Sequence, residues 1–368
     1  MKKNILKTFA VLTALATTLL FNSCNEDPVK PEDNNSNNNT TEISFENPRF
    51  MAEDNGNIYV TSYFPLGVAR FDISQMKFTG FCNLGQFHPE GIAAVGGKLY
   101  IASSSISDEN YNFSYDNKLY VVDIATFTLV DSITVGLNPQ LVKKLDDNHI
   151  VFNTWGNYTT DFGGTYIMNT DNKEIVDLHQ AMTKFDVCNG YIYGYATTYN
   201  EDYTTSTSFF KVDGTTHEVS EILSNFSASD GVYGINANPS NNDLIILTDG
   251  TYTTTGDCYV YTADGQQRMG ATAMGNLPSK AVAIDADNLL VLNEGGWGKN
   301  NAGISRVDVA SGNCTPNFFA DNNGRGLGDV AQDLIIAGGK AYATVTFSNS
   351  LEVMDPATGK STRIATTK

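Results

Sequence analysis

A pattern of four short strands recurs along this chain, and no other feature narrows its fold so much. The clearest copy runs from Pro89 to Val135: Gly91-Ile-Ala-Ala-Val95, Lys98-Leu-Tyr-Ile-Ala-Ser103, Lys118-Leu-Tyr-Val-Val-Asp123 and Leu129-Val-Asp-Ser-Ile-Thr-Val135. Gly96-Gly97 closes the first hairpin, because a tight turn needs φ > 0 and glycine adopts it without steric cost. Aligning the second strand of each unit gives seven starts, at Ile58, Leu99, His149, Tyr191, Leu244, Leu289 and Ala341. Four strands repeated every 40–50 residues or so make a propeller blade. The chain therefore reads as all-β: a seven-bladed β-propeller with four antiparallel strands per blade, one domain over residues 43–368.

The corners of the repeat support this reading. Five third strands end in aspartate, at Asp72, Asp123, Asp213, Asp308 and Asp355, while the third unit has Asn169 and the fifth delays its acid to Asp264. A side chain that recurs wherever a hairpin turns is expected to cap the turn rather than to bind a ligand. First strands align at 48–54, 89–95, 139–145, 183–188, 232–237, 279–285 and 328–334. Residues 42–46 either add to the last blade or lie against it.

The beginning of the chain is not propeller. Residues 1–23 have a basic start (Lys2, Lys3, Lys7), an apolar run from Phe9 to Phe21 and the ending Asn22-Ser23-Cys24. They resemble a bacterial lipoprotein signal, with Cys24 as the lipidated residue and Phe21 where the common motif has leucine. Asn25-Glu26-Asp27 resembles the surface-export signal of lipoproteins from gut Gram-negative bacteria. The rest of 24–42 is rich in Asn, Ser and Pro, a flexible tether. No later apolar run reaches about 18 residues, so the expectation is a chain anchored by lipid rather than spanning, exposed on the surface of the outer membrane. A net charge of −18 argues against nucleic acid and against anionic membrane surfaces as partners. Cys82, Cys188, Cys258 and Cys314 fall in four different blades without metal-site spacing, and are expected to be buried thiols.

The excess length in the repeats collects in the loops between second and third strands, at 103–117, 153–164, 197–208, 248–256 and 293–303. In a propeller these loops share one face, and long loops on a rigid ring are where binding resides. They carry Tyr111, Phe113, Tyr115, Trp155, Tyr158, Phe162, Tyr199, Tyr203, Tyr252 and Trp297, including both tryptophans of the chain. Aromatic rings among many Asn, Thr and Ser suit a sizeable neutral ligand, flat-faced or sugar-like. The residue just inside each first strand is polar in every blade: Arg49, Glu90, Gln140, Lys184, Tyr233, Lys280 and Asp329. These seven are expected to ring the mouth of the central channel as a polar floor, and their mixed charges favour a neutral or zwitterionic ligand. Support for chemistry is thin. Of four histidines only His88 reaches this face, so no metal centre is expected. Asp108, Glu109, Asp161, Glu201 and Asp202 are the carboxylates that an acid–base pair would need. Asp321-Asn-Asn-Gly324 resembles half a calcium loop and reads as a surface turn.

The units quoted above, such as His88-Pro-Glu-Gly-Ile92 leading to Lys98-Leu-Tyr-Ile-Ala102 and Leu119-Tyr-Val-Val-Asp123, resemble the YncE-like surface-layer propellers. With the lipoprotein-like start and the Tyr-, Trp- and Asn-rich face, the chain is similar to the BtuG-type cobalamin-capture lipoproteins of gut bacteria. That resemblance implies binding of a corrinoid without turnover and without a cofactor, and transfer to a TonB-dependent outer-membrane transporter. It supplies no binding motif, so the site residues rest on the repeat alignment. A glycan- or protein-binding surface module is the alternative within binding, and a propeller lyase or hydrolase the alternative outside it.

Overall fold

Strands buried on both faces are apolar almost throughout, and the second strand of each unit has that character. Leu244–Thr248 is buried at every position, and Asn57–Phe64 is buried at all but its ends. The fourth strands carry the opposite signal: Thr128–Thr134 buries only Ile133. Burial thus falls from the inner strands to the outer ones, as expected when sheets stand side by side around an axis. The structure, a computed structural model, describes residues 43–108, 112–199, 205–226, 228, 231–252 and 254–367. It contains seven four-stranded sheets, and in each the strands pair in sequence order. The blades span residues 46–83, 87–134, 139–177, 184–226, 232–276, 278–315 and 331–365. Among the described residues no helix is long and apolar enough to cross a membrane.

Seven hydrophobic clusters hold the ring, and each is shared by two consecutive blades. Tyr59 and Leu84 of the first blade pack with Ile92 and Ile101 of the second, and the pattern continues around to Leu292 and Ile304 against Leu334 and Val345. The seventh cluster joins Val60 and Phe71 to Tyr342 and Val353, so the last blade packs on the first. Phe45, 1% exposed, completes that junction: its ring meets Phe78 edge-on at 4.9 Å and its N–H donates to Thr366 O at 2.8 Å. Among the described residues, 43–45 therefore lie beside the end of the last strand with one backbone bond and add no fifth strand to that blade. Near the axis the inner strands are crowded. A Cβ at Gly91 would stand 2.7 Å from the Gln140 carbonyl oxygen, and one at Gly234 would stand 2.6 Å from that of Ser279.

The corner residues act as caps. Asp72 accepts from the N–H groups of Ser74 and Gln75, both at 2.9 Å. Asp213 does the same for Thr215 and Thr216, Asp355 for Ala357 and Thr358, and Asn169 for Asp171 and Asn172. The Ser74 hydroxyl, at 2.7 Å, and then the N–H bonds hold the Asp72 carboxyl below the usual carboxylate range, and backbone N–H bonds do so for Asp213 and Asp355.

The structure departs from expectation in two places. In blades two and four much of the expected loop is strand: Lys98–Ser107 pairs with Phe113–Asp123, and Tyr191–Tyr199 with Thr205–Asp213, as hairpins that run past the blade body. Alternation such as Ser105-Ile106-Ser107 facing Phe113-Ser114-Tyr115 sustains the pairing. In the last blade the first strand is Ala331–Ala337, three residues later than aligned, because a short helix α1 (Phe318–Asn323) occupies the connection. Asp321 to Asn323 form its last turn and Gly324, at φ 65°, its C-cap. The four described cysteines are free; Cys258 and Cys314 share one cluster without a disulfide, and burial pushes the Cys314 thiol up to about 11.

Candidate functional site

Strand register fixes which residues surround the axis. Pro48 pairs with Ser62, Pro89 with Ser103, Pro139 with Thr154, Val232 with Thr248, Pro278 with Asn293 and Ala331 with Val345. In all six a bulge or register break follows that pair, re-aiming the next side chains. The residues after the first-strand member are Arg49, Glu90, Gln140, Tyr233, Ser279 and Gln332. Lys184 opens the first strand of blade four, opposite Tyr195. Lys280 therefore lies one place deeper than its expected equivalents, and Asp329 lies before its strand.

The residues after the second-strand member form a second set: Tyr63, Ser104, Trp155, Asp249, Glu294 and Thr346. This set touches the first. Glu90 accepts from Arg49 Nη2 at 2.8 Å, from Tyr63 OH at 2.5 Å and from Ser104 Oγ at 3.1 Å. The Arg49 guanidinium lies 4.4 Å from the Tyr63 ring centroid, a cation–π contact. Across the mouth, Tyr233 OH donates to Glu294 Oε2 at 2.9 Å. Lys184 Nζ donates to Tyr233 O at 2.7 Å and sits 4.0 Å from the Tyr233 ring centroid. Tyr63, Ser104 and Glu294 do not stand out from the first-strand starts; aligning the second-strand ends singles them out.

The charged groups in contact here are two cations, Arg49 and Lys184, against two carboxylates, Glu90 and Glu294, while Asp249 of the second set accepts from Thr251 N at 2.8 Å. Burial disfavours the Arg49 cation, and Glu90, Tyr63 and Glu294 outweigh it, so the group stays charged. Burial raises the Glu294 carboxyl above its ordinary value, only partly opposed by Lys184, the Tyr233 bond and Arg49. Burial likewise lowers Lys184, partly opposed by Glu294. His88, behind Arg49, donates to or accepts from Ser107 Oγ at 3.1 Å. Burial and then Arg49 push it down to about 4, which makes it a neutral packing group between Tyr63 and Phe113. Deeper in the channel Lys143 pairs with Asp186 at 3.0 Å, and Lys280 lies 4.0 Å from Asp333. Burial works against the Asp186 carboxylate, but Lys143, Lys280 and the Asn236 amide overcome it and hold it ionised.

The expected aromatic residues divide into three groups. Tyr115, Tyr252 and Trp297 are exposed, as are Phe113 and Phe162, and Trp297 at 63% is among the most exposed large apolar side chains. Tyr252 stands edge-on to Tyr233 at 5.9 Å, continuing the floor upward. Phe64, 47% exposed at the end of a short hairpin, joins this group and was not anticipated. Trp155 and Tyr158 are half-buried instead. Trp155 Nε1 donates to Thr183 O at 3.2 Å, and Tyr158 sits near Asn138, whose Oδ1 accepts from Gln140 Nε2 at 2.5 Å. Tyr111, Tyr203 and Cys24, the side chain of Tyr199, and Glu109, Glu201 and Asp202 lie outside the described residues.

Asp329 is held by neighbouring loops: its Oδ2 accepts from Gly298 N at 2.9 Å and its N–H donates to Ser348 Oγ at 2.9 Å. The described loop acids serve their own turns. Asp108 accepts from Asn112 N at 2.8 Å and Asp161 from Gly163 N at 2.8 Å. Among the described residues no group of three or more His, Cys, Asp or Glu is placed to hold a metal.

No family model and no curated protein matches this chain. Solved structures with a similar fold include the computationally designed Ika8 protein, 10% identical with a TM-score of 0.56 over 89% of this chain and 90% of that one. Hydrazine synthase of Kuenenia stuttgartiensis is 13% identical with a TM-score of 0.55, over 90% of this chain and 99% of that one. At such identities the likeness is one of fold, and it carries no activity or ligand across.

Proposed function

We propose that this protein is a lipid-anchored, surface-exposed capture protein that holds a corrinoid on its loop face and passes it to an outer-membrane transporter without turnover. The supporting observation is the charge-balanced floor of Arg49, Glu90, Lys184, Tyr233 and Glu294 with exposed rings around it. A paired floor offers hydrogen bonds without net charge, which suits a wide, neutral, amide-fringed ring, and exposed aromatic side chains supply contact area at low conformational cost. The BtuG-like character of the sequence points the same way. A glycan-binding module is the second reading, favoured by Phe162 and Trp297, which stand free as sugar-stacking rings do.

Titrating the mature protein with cyanocobalamin, by calorimetry and by co-elution of the red colour, tests this. Saturable binding at or below micromolar concentration is expected, and none at that concentration would end the proposal. The two tryptophans should separate. Trp297→Ala should weaken binding about tenfold or more with an unchanged Tm, since its ring rests mainly in solvent. Trp155→Ala should lower the Tm by several degrees, because it removes a half-buried ring and the bond to Thr183 O.

A further inference from the structure

A cleft of about 230 Å³ opens on the loop face beside the Trp297 loop, between the ends of blades five and six and helix α1. None of the residues that line it is charged, in a chain with 41 acidic and 23 basic residues. Its floor is apolar, built from Ile304, Phe319 and Leu327, and its rim carries the amides of Asn276, Asn301 and Asn317. Those amides are only partly committed. Asn276 donates to Thr254 O at 3.1 Å and Asn301 Oδ1 accepts from Gly296 N at 2.8 Å. That leaves the Asn276 oxygen and the Asn301 NH₂ without a protein partner among the described residues. Asn317 stands at the start of α1 without capping it.

We propose that this cleft is a separate binding site for one neutral sugar ring of hexose or N-acetylhexosamine class. Three features select that chemistry. A pyranose presents an apolar face of C–H groups to the floor and hydroxyls around its edge, each able to donate and accept. Side-chain amides answer both roles. The uncharged lining excludes phosphates and carboxylates, which call for Arg or Lys, and metal ions, which call for carboxylates or imidazoles. The volume, below the ~300 Å³ at which drug-sized pockets begin, admits one ring and not a chain of them. The site shares no side chain with the axial floor, so it stands or falls independently of the corrinoid reading. A ligand of about 12–15 non-hydrogen atoms in a shallow site should bind with a Kd on the order of 1 mM.

The test is saturation-transfer NMR on the mature protein with glucose, galactose, mannose, N-acetylglucosamine and N-acetylgalactosamine, each at about tenfold the expected Kd. Transfer to at least one sugar is expected, and it should disappear both in Ala320→Trp, which fills the cleft from the helix, and in Asn317→Lys. Cyanocobalamin binding and Tm serve as controls: if either variant melts early, the other decides. No transfer to any of the five sugars overturns the proposal, as does transfer that persists in a stably folded Ala320→Trp variant. Competition by cyanocobalamin with all sugar signals would also overturn it, by placing the sugar on the axial floor.

Discussion

Replacing Glu352 by alanine is expected to destabilise the protein by about 2–3 kcal/mol, since it removes a buried, charge-assisted acceptor while Arg325 and Arg363, 33% and 38% exposed, can turn to solvent. Glu352 has no exposed surface, yet it accepts from both Nη atoms of Arg325 at 2.8 Å, from Arg363 Nε at 2.5 Å and from Ser361 Oγ at 2.5 Å. Arg363 also reaches the carbonyl of Leu327, and the Arg325 guanidinium lies 5.0 Å from the Phe319 ring centroid. One carboxylate thus ties the connection that carries α1 to the outer strands of the last blade. Burial alone would raise its pKa; the arginines and Ser361 overcome that and hold it below the ordinary value. A depressed folded value means that its contribution is present above the unfolded carboxylate range and is lost as pH falls through the folded value. Denaturant melts of wild type and Glu352→Ala should therefore differ most at neutral pH and converge on strong acidification. A pH-independent gap would show that the lost stability came from packing and not from charge.

Phe45→Ala should cost more, about 3–5 kcal/mol for a fully buried aromatic residue. The ring lies at the junction where the last blade meets the first, touching Phe78 and Phe81 and packed with Ile364. No through-going strand secures that junction; side-chain packing, the bond from Phe45 N to Thr366 O, and bonds such as Met51 N to Asp333 Oδ2 and Thr346 Oγ1 to Pro48 O, both at 2.9 Å, hold it. Hydrogen exchange in Ser361–Ala365 should accelerate before exchange in the opposite blades does. Phe162→Ala, which removes a 66% exposed ring, is the control and should leave the Tm within error. Equal effects in the two variants would mean that the ring is not closed at this point.

Much of the architecture was legible because it is written seven times. Corner acids such as Asp72 and Asp355 mark each turn, and second strands such as 244–248 show continuous burial without alternation. What escaped lay where one copy breaks the rule. Helix α1 displaced the first strand of the last blade and with it the equivalence of Asp329. Lys280 slipped one place because the alignment starts that strand at Ser279, whereas the register pairs Pro278, the counterpart of Pro48, Pro89 and Pro139, with Asn293. Glu294 follows a strand inside what reads as a glycine-rich loop, and only the register opposite Pro278 places it beside the axis. Trp155 is half-buried and bonds to a carbonyl beside the neighbouring blade, a contact that sequence spacing does not encode. The ligand is less legible still, since exposed rings and amides describe a class of partner rather than one compound.

If the loop face receives a corrinoid, as proposed, cyanocobalamin should protect that face and no other surface. Hydrogen exchange of residues 24–368 with and without saturating cyanocobalamin examines this directly. Slowed exchange is expected at 63–66, 112–116, 249–252 and 294–299, with no change at the opposite turns around Asp72, Asp213 and Asp355. Protection at those opposite turns, or none anywhere at saturation, would contradict it.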